Sequence, residues 1–122
     1  MGVDPAQPMV DWINNVPPAD LASELMAAFG PGGIRGGGAV SPDSLTDWMF
    51  RGYPRQTGIV SAARPVGGPI MEAVQLLEHS ELLYLRWITN DTPVWSVTRL
   101  GTSLLEAGKD AIRQRIKDRT GL

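Results

Sequence analysis

The sequence contains no cysteine in its 122 residues, which excludes disulfides, thiolate zinc sites and cysteine nucleophiles. A cysteine-free chain fits a reducing compartment, and a cytoplasmic location is the expectation. Histidine occurs once, as His79, with no second ligand or triad partner in evidence. No nucleophile-elbow pattern is present either, so acid–base chemistry would fall to carboxylates alone. Those are badly placed for it. Glu72 and Glu78 lie six apart on one helical stretch and point to different faces, and Asp43 and Asp47 share a face with nothing beside them to suggest a metal. No enzymatic activity, cofactor or metal is therefore expected. A run of about 18 apolar residues, the least that crosses a bilayer as a helix, is missing, so no membrane partner is expected. The N-terminus lacks the basic region and following apolar stretch of a signal peptide.

One segment is glycine-rich. Residues 30–38 read GPGGIRGGG, but no lysine followed by serine or threonine comes after, and a helix rather than a strand comes before. Both features separate it from a phosphate loop and mark it as a connector.

The rest of the chain has enough apolar residues, 43%, for one ordinary core. Charge is divided unevenly. Residues 1–50 carry six acids against Arg35 alone, whereas residues 51–122 carry ten Lys or Arg against seven acids. Such asymmetry marks either a nucleic-acid surface with an acidic extension or simply a solvated surface. The overall net charge is −2, low for a dedicated DNA binder.

Residues 1–17, with Pro5, Pro8 and Pro17, read as an N-terminal arm whose Trp12 and Ile13 dock on the domain; a loose tail is the alternative. A first helix is expected over 18–29, with Leu21, Leu25, Met26 and Phe29 on one face and Gly30-Pro31 as its stop. A second is expected over 42–51, capped by Ser41, with Pro42 in its first turn and Leu45, Trp48 and Met49 inward. Residues 52–68 form a Gly/Pro-rich insertion, in which 57–61 can make a short strand. A third helix is expected over 69–80, with Ile70, Val74 and Leu77 inward. Residues 82–88 and 94–97 then read as two strands joined by Thr89-Asn90-Asp91-Thr92-Pro93, with Trp87 and Trp95 able to pair across the ribbon. The last helix, expected over 99–119 behind the cap Thr98, carries Leu100, Leu104, Leu105, Ala111, Ile112 and Ile116 on one stripe and a basic C-terminal half.

From Ala73 to Gly108 the chain reads AVQLLEHSELLYLRWITNDTPVWSVTRLGTSLLEAG. This resembles winged helix-turn-helix transcription factors of the MarR and PadR groups: a helix with paired leucines, a hairpin, then Thr98-Arg99-Leu100-Gly101 opening the next helix. The resemblance implies a mainly α fold with a small β-hairpin wing, α+β in class, over residues 18–122. It departs from the family at 52–68, where the turn between the second and third helices is normally short.

In DNA-binding members the helix before the wing enters the major groove, so the resemblance implies a regulator that binds double-stranded DNA. The outward residues expected on that helix are Met71, Glu72, Gln75, Glu78 and His79. Only Gln75 suits a base edge, and two acids oppose phosphates. The cations that could track a backbone are Arg51, Arg55, Arg64, Arg86 and Arg99. The alternative is a winged-helix module that binds protein, including a second copy of itself, and no DNA. Its expected interface residues are Trp12, an aromatic seeking a pocket, and Leu104, Ile112 and Ile116, which could build a two-helix dimer seam.

Overall fold

The computed structural model describes residues 6–34, 39–52, 66–87 and 93–122. The expected strand at 57–61 and the hairpin turn lie outside the described residues.

The N-terminal segment enters the core as a helix. Ala6, Val10 and Ile13 recur at the spacing of one helical face, and helix α1 (Gln7–Asn15) buries all three. Pro8 sits in its first turn, where a missing N–H costs no intrahelical bond. Ile13 docks as expected, but Trp12 stays 36% exposed. Pro17 separates α1 from α2 (Pro18–Met26), which continues through a 3-10 turn at Ala27–Phe29. Leu21, Leu25, Met26 and Phe29 are buried on the face the periodicity predicts.

Helix α3 (Pro42–Met49) starts where Ser41 Oγ accepts the Ser44 amide at 3.2 Å. It ends two residues earlier than expected, before Phe50 turns into the core. Helix α4 (Gly67–His79) starts two residues earlier than expected and buries Ile70, Ala73, Val74, Leu76 and Leu77. Strands β1 (Leu83–Trp87) and β2 (Pro93–Val97) pair antiparallel as the composition predicts. The register sets Trp95 opposite Leu85 and Trp87 opposite Pro93. The two tryptophans are therefore diagonal rather than directly paired, and the Trp95 indole is used elsewhere: its Nε1 donates to Glu78 Oε1 at 3.0 Å. Val40 pins the other edge of β2 by two backbone hydrogen bonds to Trp95, each 2.8 Å.

The single long terminal helix expected over 99–119 is two helices, α5 (Arg99–Ala107) and α6 (Lys109–Thr120). Gly108 breaks it with φ 112° and ψ 172°, a backbone region essentially reserved for glycine. Thr98 links hairpin to α5: its hydroxyl donates to the Glu81 carbonyl at 2.7 Å and accepts the Gly101 amide at 2.9 Å.

The described residues are thus mainly helical with one small antiparallel ribbon, an α+β arrangement. Helix α2 packs against α4 and α6, and α3 packs against α4. Burying each leucine or isoleucine of this core stabilises the fold by roughly 1.5–3 kcal/mol before the cost of ordering the chain.

Candidate functional site

Helix α4 turns a polar stripe outward. Gly68, Glu72, Gln75 and His79, spaced four, three and four apart, are exposed. Met71 packs against the core instead, and Glu78 is held by the Trp95 indole. Gln75 is therefore presented as expected, but its neighbours on the stripe are an acid, a histidine and a glycine. No Lys or Arg occurs anywhere in α4.

Four of the ten cations of residues 51–122, all on α6, form ion pairs among the described residues. On α6, Lys109 pairs with Glu24, and Arg113 pairs with Asp20 at 2.9 Å. Arg115 and Arg119 converge on the Glu81 carboxylate at 2.9 and 3.1 Å, and Arg115 Nε also donates to the Ser80 carbonyl at 3.0 Å. Glu81 adopts φ 65°, a left-handed turn between α4 and β1 that these contacts hold. The cations of α6 thus tie that helix to α2 and to the α4–β1 turn.

Of the arginines expected at a nucleic acid, Arg86 on β1 and Arg99 at the start of α5 are exposed and make no ion pair among the described residues. Arg51, in the turn after α3, is folded back on that helix. Its guanidinium lies 3.9 Å from the centre of the Trp48 ring and donates to the Trp48 carbonyl at 2.9 Å. Arg55 and Arg64 lie outside the described residues.

The proposed seam on the last helices is corrected by burial. Ile112 is 2% exposed and Ile116 0%, both inside the chain's own core, and Leu104 packs against that core from its edge. Their stripe covers α2 and α4 and leaves no isoleucine face for a second copy.

Two surface clefts are formed by described residues. The first, about 300 Å³, lies among α1, α2 and α3 and is lined by Met9, Trp12, Glu24, Trp48, Met49 and Arg51. Trp12 was singled out by sequence as an aromatic on an N-terminal segment. Trp48 and Met49 read there only as core stripe, because nothing local in the chain shows that α1 and α3 meet. Tryptophan, methionine and arginine are the residues enriched where protein interfaces concentrate their binding energy. The second cleft, about 430 Å³, lies between the 3-10 turn, the end of β2 and α5, with Phe29, Pro31, Val97 and Leu105 as apolar walls and Thr102 and Glu106 as polar side chains.

Among the described residues no three His, Asp or Glu side chains converge to hold a metal ion, and no helix is long and apolar enough to cross a membrane. Comparison with protein-family models, with curated proteins and with solved structures finds no match to this chain.

Proposed function

We propose that this chain is a winged-helix-like protein-interaction module whose docking point is the cleft between Trp12 and Trp48. One observation carries the reading. Two tryptophans, two methionines and an arginine, drawn from α1, α3 and the turn after α3, gather around one surface cleft, while the outward stripe of α4 offers Glu72 and no Lys or Arg. The fold reading rests on the order α3, α4, hairpin, capped α5, which parallels the family order, and on Thr98 and Gly101 occupying the Thr-x-x-Gly positions.

The cleft favours a partner of particular chemistry. Trp12 and Met9 offer apolar surface over the buried Met49, and the Arg51 guanidinium is already stacked and oriented at the rim. Glu24 is neutralised by Lys109. The complement is an apolar side chain flanked by a carboxylate on the partner protein. Immobilised full-length chain should retain a partner from extract that Trp12→Ala and Arg51→Glu both lose, with circular dichroism confirming that each variant is folded. Equal retention by all three proteins would sink the reading.

A second reading has its own observation: Arg86 and Arg99 are exposed and uncommitted on the hairpin and at the start of α5, with Gln75 exposed on α4. These can contact duplex DNA, chiefly through phosphates. In that case a mixed-sequence duplex shifts at low salt, and Arg86→Ala with Arg99→Ala flattens the salt dependence by about two phosphate contacts. Absence of any shift at low salt excludes it.

A further inference from the structure

The cleft between the 3-10 turn, β2 and α5 has no part in either reading above. Its walls are Phe29, Pro31, Val97 and Leu105, and its volume, about 430 Å³, falls in the range of small-molecule sites. Its two polar side chains, Thr102 and Glu106, are four residues apart on α5 and so stand one turn apart on the same face.

Both are acceptors toward the cleft. The Thr102 hydroxyl donates its only hydrogen to the Thr98 carbonyl at 3.2 Å, leaving its oxygen lone pairs to accept. Glu106 is a carboxylate with no ion pair among the described residues, and an ionised carboxylate only accepts. Among the described residues no Lys, Arg or His lines the cleft. Both side chains are exposed, so the lining does not demand a charged partner but favours a ligand with an apolar body and a cationic hydrogen-bond donor. An anionic ligand of equal size would meet the Glu106 charge with no cation among the described residues to offset it, and a neutral one would gain no charge pairing.

We infer that this cleft binds a small hydrophobic amine, with the ammonium held by Glu106 and Thr102 and the apolar body against Phe29, Val97 and Leu105. The site joins three elements that are separate in sequence, so an occupied cleft ties the glycine-rich connector and the end of the hairpin to α5.

The test is a titration of the full chain, followed by amide and methyl NMR, with hexylamine, hexanol and hexanoate as probes of one chain length and three charges. At low salt hexylamine should shift the Val97 and Leu105 methyls and bind about threefold to fivefold more tightly than hexanol, with hexanoate the weakest of the three. Glu106→Gln, an exposed change that leaves the core intact, should reduce hexylamine to the affinity of hexanol. Leu105→Trp, which fills the cleft, should abolish binding of both. Equal binding of amine and alcohol, amine binding unchanged in Glu106→Gln, shifts confined to residues outside the cleft, or no saturable shift with hexylamine would each overturn the assignment.

Discussion

At the scale of single residues, Gly101 is where three parts of the molecule meet. A methyl group on its α-carbon would come within 2.4 Å of the Leu82 carbonyl oxygen, 2.7 Å of Val97 Cγ2 and 2.9 Å of Met26 Cε. The methionine can move aside. The carbonyl cannot, because it accepts the Thr98 amide at 3.0 Å and so belongs to the junction between hairpin and α5. Gly101→Ala should therefore act as an overpacked core substitution and cost about 1–3 kcal/mol in urea denaturation, despite the better helix propensity of alanine. Gly68→Ala is the control. Nothing lies within 4 Å of its added methyl, and its φ is unremarkable, so stability should stay level or rise slightly. Were the two substitutions equivalent, the close approach at Gly101 would be without consequence. Glycine at the last position of Thr-x-x-Gly thus has a tertiary reason, the close passage of the Leu82 backbone, which the motif itself does not display.

At the scale of elements, legibility followed how local the deciding physics is. Caps are local, and Ser41 and Thr98 were readable from their own neighbourhoods and perform as read. The strands were readable because Leu82–Ile88 and Val94–Val97 combine β-branched and aromatic residues around turn chemistry. Register was not, since the turn residues allow more than one pairing, and the direct Trp87–Trp95 pair gave way to Leu85–Trp95. Helix α1 was hidden by its prolines, which suggested an arm, although Ala6, Val10 and Ile13 already carried the stripe. The terminal break was hidden for the opposite reason. Leu104, Leu105, Ala111 and Ile112 keep an apolar stripe across residue 108, and a lone glycine inside such a pattern is ordinarily tolerated. What the pattern cannot show is that α6 must turn to reach α2 and α4. Gly108→Ala tests this. An L-residue at φ 112°, ψ 172° is strained by about 1–3 kcal/mol, whereas alanine in a continuous helix would stabilise it by about 1 kcal/mol. The sign of the change in the thermal midpoint decides between a broken and a continuous helix: a fall is expected, and a rise would mean that the two helices can merge.

At the scale of the whole molecule, α6 is the closing element. Its polar face is tied to α2 through Lys109 and Arg113 and to the α4–β1 turn through Arg115 and Arg119. These pairs are mostly exposed, so each contributes little and weakens with salt. Its apolar face carries Ile112 and Ile116, and the burial of those two side chains outweighs the ion pairs as the force that holds the helix down. The same burial decides what the helix can do for assembly. A side chain in a dimer seam is exposed in the monomer, and truncating it shifts the monomer–dimer balance, so the loss of stability depends on protein concentration. A side chain in a monomer core gives a loss independent of concentration. Ile116 is fully buried within one chain. Ile116→Ala should therefore destabilise by about 2–5 kcal/mol, with a urea midpoint that stays constant as concentration is varied and a sedimentation coefficient matching that of the wild type under native conditions. A midpoint that climbed with concentration in the wild type and lost that climb in the variant would restore the seam. It would also require α6 to leave α2 in the assembled state, breaking the pairs with Asp20 and Glu24. The Trp12–Trp48 cleft makes no such demand, because it faces outward without any helix having to detach, and this is the structural reason to place the interaction surface there rather than on the last helix.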